Sequence, residues 1–114
     1  MNLEQFDFIV RYDELTGISH ADKASMNYAD EMVKTDRFDI TVGTEFLLTA
    51  FRYYMKQNGI DPSRMVFVVP YEDGYDRERK LSTVLIDKDY NYTYGLEGRF
   101  DHPDFNCFML MDLL

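Results

Sequence analysis

The segment at residues 44–58 constrains the fold most, because it reads as one amphipathic helix with a signal at each end. Its apolar residues recur at helical spacing: Leu47, Leu48, Phe51, Tyr54 and Met55. Thr44 suits the N-cap, Gly59 suits the left-handed position after the helix, and Pro62 prevents continuation. Ile60 then falls where a Schellman ending contacts Met55. We therefore expect this helix to be the central element of the core.

Other segments predict strands and one further helix. Ser19 followed by Asp22 resembles a capping box and predicts a helix that continues to about Thr35. The apolar run at residues 65–69 is typical of a strand buried on both faces, and Pro70 is expected to end it. Strands are predicted at residues 3–12, 38–42, 65–69, 81–86, 90–96 and 105–111.

These elements follow the order β-α-β-α-β-β-β-β, and no repeat, linker or low-complexity stretch interrupts them. The short Asp87-Lys88-Asp89 connection favours a hairpin between two of the later strands. We expect residues 1–114 to form a single α+β domain. It should contain a mainly antiparallel sheet of five to six strands, with two helices packed on one face.

Composition and charge exclude several classes of protein. The 114 residues are 46% hydrophobic and 16% aromatic, which is enough for a core and argues against disorder. With 12 basic and 21 acidic residues the net charge is −9, which disfavours direct binding to nucleic acid or to an anionic membrane. No apolar stretch approaches the ~20 residues of a membrane span, and no secretory signal is recognised. A single cysteine, Cys107, favours a reducing, cytoplasmic location.

No catalytic or cofactor motif is recognised, and no cofactor is expected. Cys107 lies five residues after His102, but a cysteine within an apolar strand usually behaves as a small hydrophobe. We expect Cys107 to be buried and chemically dispensable. Glu97, Asp101, His102 and Asp104 contain donors for a divalent metal, and the alternative interpretation is a turn rich in Asp and Pro. The turn is favoured, because no second His and no i,i+4 ligand pair is present.

The C-terminal half contains the predicted partner-binding surface. Residues 71–114 carry ten acids and five bases, and an acidic loop at residues 71–80 precedes a series of tyrosines. Tyrosines on one strand face suit protein contacts, although the same side chains could face the core and the loop could be a solvated connection. The predicted surface comprises Glu72, Asp73, Tyr75, Asp76, Glu78, Asp87, Asp89, Tyr90, Tyr92 and Tyr94.

Three functional hypotheses remain open. The first is a non-enzymatic protein-binding module for a basic partner; in its sharper form the chain is a nucleic-acid mimic that inhibits a nucleic-acid-binding protein. Small phage and mobile-element inhibitors of host defence offer an analogy in size and charge only. The second is a small hydrolase-like or metal-dependent enzyme that uses carboxylates and His102. The third is a structural subunit that forms homo-oligomers through a sheet edge.

Overall fold

The computed structural model describes residues 2–19, 22–72 and 79–95. Two short 3-10 helices, Leu3–Gln5 and Pro62–Arg64, accompany the main elements. The strands and α-helices are β1 (Phe8–Tyr12), α1 (Asp22–Val33), β2 (Phe38–Val42), α2 (Glu45–Gln57), β3 (Met65–Glu72), β4 (Arg79–Ile86) and β5 (Tyr92–Gly95). Among these residues no helix is both long and apolar enough to cross a membrane. The strand predicted at residues 105–111 lies outside the described residues.

The sheet is mixed, so the prediction of a mainly antiparallel sheet was wrong for its first half. The strand order is β2-β1-β3-β4-β5. β1 pairs in parallel with both β2 and β3, whereas β3, β4 and β5 pair antiparallel. The physical reason is that α1 and α2 each return the chain to the end of the sheet where the preceding strand began, so the next strand starts in the same direction.

The predicted central helix is confirmed at both ends. The Leu47 amide donates to Thr44 Oγ1 over 3.3 Å, and α2 begins at the next residue after that cap. At the other end Gly59 has a φ of 63°, and the Gly59 and Ile60 amides donate to the carbonyls of Lys56 and Met55. Those two bonds are the Schellman pattern that Gly59 and Ile60 predicted.

The main core lies between the two helices and one face of the sheet. α2 contributes Leu47, Leu48, Phe51 and Met55, all inaccessible to solvent, and α1 contributes Ala29 and Val33. A smaller cluster on the opposite face of the sheet contains Phe6, Ile9, Val66 and Val68. Burial on both faces therefore agrees with the continuous apolar run of β3.

Pro70 does not end β3, contrary to the expectation above. The strand continues to Glu72, and Pro70 lies opposite Leu81 of β4. Pairing between β1 and β3 extends only to Val68, so at Pro70 the strand has a described neighbour on one side only. Proline is tolerated at such edge positions because no ladder hydrogen bond is lost on the open side.

Candidate functional site

The residues predicted to form one partner-binding surface lie at opposite ends of β4. In the backbone register of β3 and β4, Glu72 lies opposite Arg79. The acidic loop therefore leaves the sheet where β3 ends and β4 begins. Asp87, Asp89 and Tyr90 follow the other end of β4. Because β4 has eight residues, these ends are separated by about 23 Å at the usual rise of a strand. Asp73, Tyr75, Asp76 and Glu78 lie outside the described residues.

The Asp87 carboxylate forms hydrogen bonds within the turn between β4 and β5. Asp87 Oδ1 accepts hydrogen bonds from the amides of Asp89 at 2.8 Å and Asn91 at 3.1 Å. The Tyr90 amide donates to the Asp87 carbonyl, and the Asp87 amide donates to the Asn91 carbonyl. Asp87 is therefore a structural residue of this turn, while Asp89 is exposed.

Tyr90 lies within this turn and not in the strand predicted from its spacing. Its φ is 64°, an unfavourable value for a residue with a Cβ. The hydroxyl donates to the Ile60 carbonyl over 2.7 Å, and the Tyr90 carbonyl accepts from Arg52 over 2.9 Å. Burial raises the pKa of Tyr90, with a smaller contribution from the nearby Asp61 carboxylate, so the hydroxyl remains a donor at neutral pH.

Tyr92 is half-buried against the core. The guanidinium of Arg52 lies 4.4 Å from the centre of its ring, and the Phe67 ring meets it edge-on at 5.3 Å. Arg52 itself is only 3% exposed, so this cation–π contact is largely shielded from water. Tyr94 belongs to β5 with Tyr92, and the expected series of three tyrosines on one strand is therefore divided.

We expect Tyr90→Phe to lower the free energy of unfolding by about 0.5–1.5 kcal/mol, because the bond to the Ile60 carbonyl is lost while the ring remains. Urea denaturation of the variant and the wild type measures the difference. Tyr53→Phe is a control from another half-buried tyrosine. An equal change in both variants would contradict a specific role for the Tyr90 hydroxyl.

A second acidic region lies where the three parallel strands end. β1 leads into a turn at residues 13–17, β2 leads into Thr44 and α2, and β3 leads into Glu72. Asp13, Glu14 and Glu45 lie at this edge, and the Tyr12 hydroxyl donates to Glu14 Oε1 over 3.1 Å. The acidic loop leaves the sheet at the same edge. We call this region, defined by Asp13, Glu14, Glu45 and Glu72, the acidic edge.

Sequence reasoning treated residues 13–17 as a turn only and did not place them at the end of the sheet where β3 also ends. The available signal was Leu15, an apolar residue between Glu14 and Thr16 in a segment otherwise suited to a turn. Leu15 is 90% exposed. The position of this turn depends on the parallel pairing of β1 with β2 and β3, which the predicted antiparallel sheet did not contain.

Within the described residues no group of three or more His, Cys, Asp or Glu side chains could hold a metal ion. Glu97, Asp101, His102, Asp104 and Cys107, which carried the metal and nucleophile hypotheses, lie outside the described residues.

Comparison of the chain with known protein families, with curated proteins and with solved structures found no match.

Proposed function

We propose that this protein is a non-enzymatic binding module whose acidic edge and acidic loop contact a basic protein partner. In the sharper form of the proposal, the partner is a nucleic-acid-binding protein and the carboxylates occupy places that phosphates would take. The partner's lysines and arginines would then meet carboxylates across a wet, polar contact. The protein would inhibit its partner by covering the site that binds nucleic acid.

The observation that carries the proposal is the excess of acidic over basic residues, which gives a net charge of −9. Several basic residues in the described part of the protein also contact groups of this chain. Arg52 is buried against Tyr92, Arg11 pairs with Asp39 at 2.9 Å, and Arg64 pairs with Asp7 at 2.8 Å. In each ion pair one cation and one carboxylate cancel, so the outward field follows from the remaining excess of acidic residues.

The positions of acids along the sheet add to this argument. At the opposite edge, where the parallel strands begin, acidic and basic residues both occur. There Arg64 contacts Asp7 and the ring of Phe8, and Arg37 donates to the Glu4 carbonyl. At the acidic edge, Asp13 and Glu14 follow β1, Glu45 begins α2, and the acidic loop leaves β3 after Glu72. A positively charged partner would be steered towards the acidic edge more strongly than towards the mixed one.

Affinity capture tests the proposal. The protein is immobilised, exposed to lysate of its source organism, and eluted with rising salt. The proposal expects a basic protein that is released between about 0.1 and 1 M salt, since screening weakens exposed charge contacts. A captured protein should also lose binding to a nucleic-acid probe when this chain is added. Capture of acidic or neutral proteins only, or release that does not depend on salt, would contradict the proposal.

Light scattering of the purified chain separates binding to another protein from self-association. A monomer over the micromolar range is the expected result, because two copies of a chain with charge −9 repel each other. A stable dimer whose formation excludes the captured protein would favour the homo-oligomeric alternative instead.

A further inference from the structure

The C-terminal end of α2 contains an asparagine that is followed by a glycine. Asn58 is the only one of the five asparagines in the chain with this neighbour. Both residues are exposed, and a Cβ at Gly59 would meet nothing within 4 Å. Since glycine adopts backbone conformations that other residues disfavour, its nitrogen can approach a preceding side chain closely. The pair therefore combines a reactive side-chain amide with an unhindered backbone nitrogen.

The reaction open to this pair is loss of the side-chain amide group. The Gly59 nitrogen forms a bond to Asn58 Cγ, the Cγ–Nδ2 bond breaks, and Nδ2 leaves as ammonia with the proton of the Gly59 amide. Water then adds to one carbonyl carbon of the cyclic imide and breaks one C–N bond of the ring. The product is aspartate or isoaspartate, and the only co-reactant is water.

The native end of α2 holds both groups away from this reaction. Asn58 Nδ2 donates to Asp30 Oδ1 over 3.2 Å and to the Tyr54 carbonyl over 2.8 Å, while the Gly59 amide donates to the Lys56 carbonyl over 3.2 Å. The ψ of 7° at Asn58 places the Gly59 nitrogen beside the Asn58 backbone nitrogen and away from Cγ. Attack therefore requires these hydrogen bonds to break and the peptide unit to rotate, which is a local opening of the helix end.

Asp30 connects this site to α1. Its other carboxylate oxygen accepts from Lys34 over 3.1 Å. The hydrogen bond from Asn58, followed by that from Lys34, lowers the pKa of Asp30, so its side chain is an anion at neutral pH. A new carboxylate at position 58 would remove the donor and face the Asp30 carboxylate, which is repulsive. It would also lie at the C-terminal end of α2, where the helix dipole disfavours negative charge.

We propose that Asn58 is a site of spontaneous deamidation whose rate is set by opening of the α2 end, and that the reaction permanently detaches this end from Asp30 of α1. In the isoaspartate product the backbone is one carbon longer, so the Gly59 and Ile60 amides no longer match their acceptors in α2. Neither the reaction nor its consequence requires the binding function proposed above.

Peptide mapping of the incubated full-length protein tests the proposal. The protein is kept at mildly alkaline pH, mass spectrometry follows loss of each asparagine amide, and an isoaspartate-specific methyltransferase identifies the product. We expect Asn58 to react first, while Asn91, which precedes the bulky Tyr92, remains intact. The reaction at Asn58 should be about tenfold or more slower in the native protein than in urea. Asp30→Ala should accelerate the native reaction about threefold or more, because one hydrogen bond that closes the helix end is lost.

Glu31→Ala is the matched control, since it removes the neighbouring exposed acid of α1 and should leave the rate unchanged. In Asp30→Ala, hydrogen exchange at the Gly59 and Ile60 amides should increase in the same proportion as the reaction rate, with core amides unaffected. Equal rates in the native and the urea-unfolded chain, or equal acceleration by both variants, would overturn control by the helix end. An Asn58 that stays intact in Asp30→Ala as well would overturn the site itself.

Discussion

Phe51→Ala is expected to lower the free energy of unfolding by about 3–5 kcal/mol. The ring is inaccessible to solvent, meets the Tyr28 ring edge-on at 6.1 Å and lies 5.4 Å from the Phe38 ring. Alanine at this position would leave a cavity between α1, α2 and β2, and the surrounding side chains could fill it only in part. Urea or guanidinium denaturation, with the midpoint and the m-value both fitted, measures the loss.

Tyr53→Ala is the control for this prediction, because Tyr53 is a half-buried aromatic two residues further along the same helix. Its cost should be clearly smaller, since less apolar area returns to water. If Phe51→Ala changed the midpoint no more than Tyr53→Ala, with unchanged m-values, the central role of this face of α2 would be contradicted.

Gly17→Ala should destabilise the protein by about 2–4 kcal/mol, the second-largest effect that we expect. The added Cβ would lie 2.1 Å from the Val42 carbonyl carbon, 2.3 Å from its oxygen and 2.4 Å from the Gly43 nitrogen. All three are backbone atoms that cannot move aside by changing a rotamer. The turn must therefore withdraw from β2, and the hydrogen bonds between Ile18 and β2 would be strained or lost.

Gly59→Ala separates steric contact from backbone strain. A Cβ at Gly59 meets nothing within 4 Å, but the φ of 63° disfavours any residue with a side chain. Its expected cost is about 1–2 kcal/mol. Circular dichroism during thermal unfolding compares the two variants. If Gly17→Ala were no more harmful than Gly59→Ala, the close approach of the turn to β2 would not be important for stability.

Local signals in the sequence predicted α2 in detail. The cap at Thr44, the left-handed Gly59 and the apolar face are each properties of a few adjacent residues, so no knowledge of distant contacts was needed. The positions of β2 and the hairpin strand β4 followed in the same way from alternation and apolar runs. For the first strand only residues 8–12 of the predicted 3–12 were right, because Leu3–Gln5 form a 3-10 helix. The partners of each strand depend on residues far apart in the chain, and those local signals do not contain them.

The parallel half of the sheet shows this limit. From β1 to β2 the chain moves to one side, and from β2 to β3 it returns across β1, yet both helices pack on the same face. The two crossovers therefore have opposite hands. Since crossovers are right-handed in nearly all known cases, this strand order would usually place α1 and α2 on opposite faces. Both helices were predicted on one face, as observed, but from an antiparallel sheet in which this conflict does not arise.

The candidate site was predicted only in part for the same reason. The acidic residues and tyrosines are adjacent in sequence, which suggested one surface, but β4 separates Glu72 from Asp87 by its full length. Tyr90 is not part of the predicted strand, because in the turn after Asp87 it has a positive φ. Hydrogen bonds with Arg52 and with the Ile60 carbonyl stabilise it in that conformation. The turn at residues 13–17 was not included in the predicted surface, because its place at the end of the sheet where β3 also ends depends on parallel pairing.

Association rates at several ionic strengths test the central claim most directly. The first variant reverses three charges at the acidic loop: Glu72→Lys, Asp73→Lys and Asp76→Lys. The second reverses three exposed acids elsewhere: Glu4→Lys, Glu31→Lys and Asp36→Lys. Both variants change the net charge equally, so a difference between them reports the position of the charges and not their number.

With the captured basic protein as partner, we expect the acidic-loop variant to associate about tenfold more slowly than the wild type at low salt, with a flatter dependence on ionic strength. The second variant should keep most of the wild-type rate and slope. Equal slowing of both variants would show that only net charge matters, and wild-type rates in the folded acidic-loop variant would show that function lies elsewhere. Either result would contradict a binding surface at the acidic edge and acidic loop.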